Sequence, residues 1–150
     1  MNTRHLFTLT LASLLTLTSC AESTKKQTET ITPKGTYGQV VHFEDMVTRG
    51  DNAVEVLKQT LEGNSKVVVD FYAEWCGPCK KLGPVLTKLA GKHTDVLFIK
   101  INVDEFRSVS DHYSIKSLPT LMTFKDGKRV EKTTGFRSES DLKAMIKKLD

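Results

Sequence analysis

The pattern of apolar and polar residues divides the chain into three parts. Residues 6–17 form an apolar run interrupted only by Thr and Ser, whereas residues 21–35 are almost entirely polar. From residue 37 onward, apolar runs of strand length alternate with apolar residues at helical spacing. The first three such runs lie at residues 39–43, 67–73 and 96–103, and they predict buried β-strands.

Amphipathic patterns predict helices between and after these strands. Ala53, Leu57 and Leu61 repeat at helical spacing, with Asn52 and Glu55 at the positions of a capping box. The next helix contains Pro84, which predicts a kink. Its apolar face consists of Leu82, Val85, Leu86, Leu89 and Ala90. A short helical segment is predicted at residues 108–113.

The last third of the chain has the pattern of a hairpin followed by a helix. Residues 120–125 and 128–134 flank Asp126-Gly127, a strong hairpin signal. Ser138 and Asp141 occupy capping-box positions before an apolar stripe formed by Leu142, Met145, Ile146 and Leu149. The predicted order is βαβαβα followed by ββα. We therefore expect an α/β fold with a central mixed sheet of about five strands, flanked by about four helices.

Composition and charge are those of a globular protein. The 150 residues are 39% hydrophobic and 27% charged, with a net charge of +4. No basic run exceeds two residues and no aromatic residues are interleaved with these runs, which argues against a nucleic-acid partner. The length allows one domain with a short appendage.

The N-terminal part has the layout of an export signal. Arg4 precedes the apolar run, whose twelve residues would form a helix of roughly 18 Å, too short for a bilayer core of about 30 Å. Leu17-Thr18-Ser19-Cys20 resembles the lipobox of bacterial lipoproteins, in which the cysteine carries the lipid. A buried N-terminal helix and an ordinary secretory signal are the alternatives.

This layout predicts the domain organisation and the location of the protein. We expect a signal peptide at residues 1–19, cleaved before Cys20, a lipid-anchored tether at residues 20–36, and a folded domain at residues 37–150. The domain would lie on the periplasmic face of a bacterial envelope, with Ala21 favouring the outer membrane.

Cys76 and Cys79 form a Cys-x-x-Cys motif directly after a predicted strand and at the start of a helix. Backbone N–H groups and the helix dipole at this position favour a thiolate, the nucleophile of disulfide exchange. Exposed Cys76 would attack a disulfide, and Cys79 would resolve the mixed disulfide. A zinc site lacks a second ligand pair, since the histidines are scattered, and a structural disulfide would close only a two-residue loop.

The segment at residues 69–80, VDFYAEWCGPCK, resembles the active-site segment of thioredoxins, and the similarity extends over residues 40–149. The resemblance implies the thioredoxin fold, and it implies that Asp70 is a buried proton acceptor beneath Cys79 and that Lys100 pairs with Asp70. The alternatives are an Asp70 carboxylate that reaches solvent or a backbone donor, and a solvated Lys100.

The resemblance also implies a docking surface for an extended substrate. Leu118-Pro119 matches the family's cis-proline segment, although a trans bond is commoner in general. Trp75, Gly77, Pro78 and Gly135 would complete the surface together with Leu118 and Pro119. Packing of Trp75 in the core is the alternative for that side chain.

Gly77-Pro78 is the pair found between the cysteines of reducing thioredoxins, so we expect a protein-disulfide reductase. Its expected partners are disulfide-containing exported proteins and a redox partner that supplies electrons, with no cofactor, no metal and a monomeric state. The alternatives are a disulfide oxidase or isomerase with the same chemistry, a non-catalytic binding module and a metal chaperone.

Overall fold

The computed structural model describes residues 37–150. The predictions of the signal peptide, of the lipid at Cys20 and of the tether fall on residues outside this range. The described strands are β1 (Val40–His42), β2 (Lys66–Tyr72), β3 (Leu97–Asn102), β4 (Thr120–Lys125) and β5 (Lys128–Thr134). The helices are α1 (Ala53–Gly63), α2 (Gly77–Ala90), α3 (Arg107–His112) and α4 (Glu139–Lys147), with a short 3₁₀ helix at Phe43–Asp45.

The five strands form one mixed sheet in the order β1-β3-β2-β4-β5. β3 pairs in parallel with both β1 and β2, whereas β4 pairs antiparallel with β2 and β5. The predicted thioredoxin fold, with five strands and four helices, is confirmed. Strands β1, β2 and β3, which α1 and α2 connect, run parallel to one another, whereas β4 follows α3 and runs antiparallel to β2 before the hairpin leads into β5.

Two hydrophobic layers form because successive side chains of a strand point to opposite faces of the sheet. On one face, Val69 and Phe71 of β2 belong to a buried cluster with Leu57 of α1 and Val109 of α3. On the other face, Val68 belongs to a cluster with side chains of α2 and α4. Strand β2 is therefore covered on both faces, which explains why its sequence after Lys66 is an apolar and aromatic run interrupted only by Asp70.

The helix caps agree only in part with the predicted capping boxes. Ser138 and Asp141 form the complete reciprocal box at the start of α4. At α1, the Asn52 side chain accepts hydrogen bonds from the backbone N–H groups of Val54 and Glu55 at 3.1 and 3.4 Å. The Glu55 carboxylate does not accept a hydrogen bond from the Asn52 backbone N–H, so the reciprocal half of the box is missing. It lies instead 3.9 Å from Lys58 Nζ, one turn further along the helix.

Element boundaries differ slightly from the predictions. β1 ends at His42, so the predicted strand at residues 39–43 is shortened by the 3₁₀ helix that begins at Phe43. Helix α2 continues through Pro84, and the kink stays a prediction. The hairpin is formed as predicted, with positive φ angles of 49° at Asp126 and 75° at Gly127, the combination that suits the twist of paired strands.

Candidate active site

Cys76 and Cys79 lie at the junction between β2 and α2 and are joined by a disulfide bond. Cys76 is the N-cap of α2, and its sulfur accepts a hydrogen bond from the Cys79 backbone N–H at 3.2 Å. Pro78 lies in the first turn, where its missing N–H costs the helix no hydrogen bond. The Cα atoms of the two cysteines are 5.3 Å apart, within the normal range for a disulfide.

The two sulfur-bearing residues differ in their surroundings. Both are buried, with 4% of Cys76 and 3% of Cys79 exposed, so the expected exposure of Cys76 is not found in the oxidised pair; both residues pack with Tyr72 and Ala73. Cys76, but not Cys79, lines an open cleft of about 540 Å³ beside the helix start. Cys76 is thus the cysteine that faces the cleft, and its role as the attacking nucleophile stays a prediction.

Asp70 lies on the central strand with only 1% of its surface exposed. Its side chain is on the face of β2 that α2 covers, because Val68 two residues earlier packs against that helix. Neither carboxylate oxygen has a hydrogen-bond partner among residues 37–150. Burial raises the pKa of the Asp70 carboxyl to about 7, against a smaller opposing effect of the Lys100 charge. The alternative in which this carboxylate reaches solvent or a donor is wrong.

Lys100 is the direct neighbour of Asp70 across the β2–β3 pair. Its ammonium lies 3.9 Å from the centroid of the Tyr72 ring, a cation–π contact. Within the described part of the chain, no ion pair joins Lys100 to Asp70. The charge of Lys100 nevertheless lowers the pKa of the Asp70 carboxyl, so the two groups interact through space without an ion pair.

The Leu118-Pro119 peptide bond is cis. The Pro119 carbonyl accepts a hydrogen bond from the Gly135 N–H at 2.8 Å, and Gly135 has a φ angle of 82° that favours glycine. Leu118 packs against the cysteine cluster. The structure therefore brings Leu118, Pro119 and Gly135 to the edge of the sheet where the disulfide lies.

Trp75 extends into solvent with 71% of its surface exposed, so the alternative of core packing is wrong. Its indole N–H donates to Asp104 Oδ2 at 2.9 Å. Trp75, Gly77 and Pro78 all line the cleft. The remaining lining includes Asp104, Arg107, Lys116 and Leu118.

Sequence reasoning missed the charged residues of this cleft. Asp104 follows the end of β3, at the carboxyl edge where polar residues of parallel strands meet, and that position was the only available signal. Arg107 and Lys116 carry no motif and come to the cleft only through α3 and the loop after it. Among the described residues, no three His, Cys, Asp or Glu side chains converge in the manner of metal ligands.

The site consists of a cysteine pair that closes a disulfide at a helix N-terminus, a buried acid on the adjoining strand, and an open cleft at one sulfur only. These features define a thiol–disulfide oxidoreductase.

Comparison with known proteins identifies the family. A family model described as Thioredoxin matches residues 47–148. The thioredoxin of Mycoplasmoides gallisepticum is 47% identical over 91 residues, covering 61% of this chain and 91% of that protein. Thioredoxin H-type 1 of Nicotiana tabacum is 40% identical over 93 residues, covering 62% and 74% respectively. The solved thioredoxin of Trichomonas vaginalis is 34% identical with a TM-score of 0.64, covering 74% of this chain and 97% of that one.

The chain belongs to the thioredoxin family. Its class of activity is that of a protein-disulfide reductase.

The buried acid generates a prediction about stability and pH. In the folded protein the pKa of Asp70 is about 7, above its ordinary value of 3.8. Between these two pH values, the folded state therefore holds a proton that the unfolded state has released. Wild-type stability should therefore fall as pH rises through this window. Asp70→Asn cannot ionise, so its free energy of unfolding should rise relative to wild type by up to about 4 kcal/mol between pH 4 and 8.

Urea unfolding of the oxidised proteins across this pH range measures the difference. Asp45→Asn, which removes an exposed carboxylate, is the matched control and should follow the wild-type curve. Parallel pH profiles for Asp70→Asn and wild type would show that Asp70 titrates normally in the folded protein.

Proposed function

We propose that this protein reduces disulfide bonds of exported proteins from a lipid anchor on the periplasmic face of a bacterial envelope. The observation that carries the chemical part is the Cys76–Cys79 disulfide, of which Cys76 alone lines the open cleft. The observation that carries the location is the sequence of residues 1–20, with a short apolar run that ends at Leu17-Thr18-Ser19-Cys20.

The reaction transfers two electrons from the cysteine pair to the substrate. In the reduced protein, the Cys76 thiolate attacks one sulfur of a substrate disulfide, and the other sulfur leaves as a thiolate. Cys79 then attacks the Cys76 sulfur of the mixed disulfide and releases the second substrate thiolate. The protein ends with the Cys76–Cys79 disulfide seen in the structure. A redox partner must return two electrons before the next cycle.

The position of each residue supports a separate role in these steps. The α2 N-terminus and the Cys79 backbone N–H stabilise the attacking thiolate of Cys76. Asp70 accepts the proton of Cys79, since a carboxyl with a pKa of about 7 can take and return a proton near neutral pH. Leu118 and Pro119 offer backbone to an extended substrate, alongside the exposed ring of Trp75.

The direction of exchange rests on Gly77-Pro78, the pair of the reducing members of the family. An oxidase or isomerase would use the same two cysteines with the electron flow reversed, and the couple's potential relative to its partners decides between them.

Among residues 37–150, no helix is long and apolar enough to cross a membrane.

Cys79→Ser should trap substrates on the protein, because the mixed disulfide at Cys76 then has no resolving thiol. Expressed in the native envelope, this variant should give adducts on non-reducing gels that dithiothreitol releases, with the link at Cys76 identified by mass spectrometry. Cys76→Ser is the matched control and should give none, since Cys79 does not line the cleft. Equal trapping by the two variants would contradict the assigned roles.

The lipid anchor makes a second, independent prediction. Wild-type protein should sediment with membranes and yield a mature N-terminal peptide whose mass includes acyl chains on Cys20. Cys20→Ala should appear in the soluble fraction, whereas Ser19→Ala, which keeps a small residue before the cysteine, should remain anchored. Membrane retention of Cys20→Ala, or an N-terminal peptide without lipid, would show that the anchor assignment is wrong.

A further inference from the structure

Phe136 is an exposed aromatic side chain beside the active site. It follows Gly135, the residue that bonds to the Pro119 carbonyl, and 47% of its surface is exposed. The ring lines a cleft of about 450 Å³ whose other lining residues are Gly77, Pro78 and Lys81. Nothing in the exchange chemistry of the cysteine pair uses this cleft.

This cleft adjoins the cleft that opens at Cys76, because Gly77 and Pro78 line both. A polypeptide whose cysteine reaches the sulfur of Cys76 must pass close to these two residues. Its neighbouring residues are then within reach of the Phe136 ring.

Charge indicates the chemistry of the occupant. Lys81 is the only charged residue of the cleft lining, and its ammonium makes no ion pair or hydrogen bond within residues 37–150. The cleft therefore combines an aromatic ring and a proline ring with one uncompensated positive charge. A two-fold pairing of this cleft with a second copy of the chain would place Lys81 against Lys81, which disfavours self-association there.

We propose that Phe136, Pro78 and Lys81 form a specificity subsite for the residues next to the substrate cysteine. The subsite takes an aromatic side chain against the Phe136 and Pro78 rings and a carboxylate beside Lys81. This proposal rests on the proposed reduction of protein disulfides and adds to it a preference for an aromatic-acidic pair next to the reacting cysteine.

Reduction rates for matched peptide disulfides test the subsite. The full-length chain, reduced beforehand, is mixed with disulfide-linked peptides that differ only next to the cysteine, with Phe-Glu, Ser-Glu or Phe-Lys placed on either side. Oxidation of the cysteine pair is followed by the fluorescence of Trp75, the only tryptophan of the chain. In at least one placement, Phe-Glu should react about fivefold faster than Ser-Glu and about threefold faster than Phe-Lys at low salt.

Three variants separate the two contributions. Phe136→Ala should bring the ratio of Phe-Glu to Ser-Glu close to one, and Lys81→Gln should do the same for the ratio of Phe-Glu to Phe-Lys. Val130→Ala removes another exposed apolar side chain that lines neither cleft, and it should retain both preferences.

Equal rates for all peptides in both placements, or preferences that survive Phe136→Ala and Lys81→Gln, would overturn the subsite while leaving the reductase function intact. If the folded, reduced protein is oxidised by none of the peptides, the proposed reduction of disulfides fails, and the subsite fails with it.

Discussion

The site depends on one constraint, the hydrogen-bonded pairing of β2 with β3 on one side and with β4 on the other. Because β4 runs antiparallel to β2, the start of β4 at Thr120 lies beside the end of β2 at Phe71. The parallel pairing with β3 sets Asn102 beside Tyr72, and the hairpin sets Thr134 beside Thr120. One end of the strands therefore carries all the segments of the site, namely those that contain the cysteines, the cis-proline, Asp104 and Phe136.

The same strand carries a buried carboxyl without a hydrogen-bond partner in the described part of the chain. Asp70 contributes a carboxyl to a layer that otherwise excludes water, and neither oxygen finds a donor in the described part of the chain. Such a group is tolerated only when it is protonated or when a nearby charge compensates it. Lys100 is near enough to lower the pKa of Asp70, but its ammonium lies against the Tyr72 ring and makes no ion pair with the carboxyl. The consequence is a buried carboxyl whose pKa lies near neutral pH.

Much of this architecture follows from local sequence signals. The bounds of β4 and β5 agree with the runs on either side of Asp126-Gly127, because turn chemistry and strand alternation act over a few residues. The position of the cysteine pair follows from a strand, a tight turn and a helix start in direct succession. Signals of this kind need no knowledge of distant parts of the chain.

Other features depend on contacts between residues far apart in the sequence. The hydrogen bond from Trp75 to Asp104 joins residues 29 positions apart, and no motif marks it. Whether the Lys100 ammonium lies beside the Asp70 carboxylate or against the Tyr72 ring depends on side-chain geometry across β2 and β3, which the sequence does not reveal. In the sequence, Phe136 is an isolated apolar residue that no pattern marks. The β4–β5 hairpin places it where it lines the same cleft as Pro78.

The central claim is that the Cys76–Cys79 pair acts as a reductant, and its equilibrium reduction potential tests this most directly. The full-length protein is equilibrated with dithiothreitol buffers of known potential, and Trp75 fluorescence reports the fraction oxidised. We predict a potential of about −270 mV, the value typical of thioredoxins, whereas a value of about −120 mV, typical of a strong periplasmic oxidant, would contradict the account.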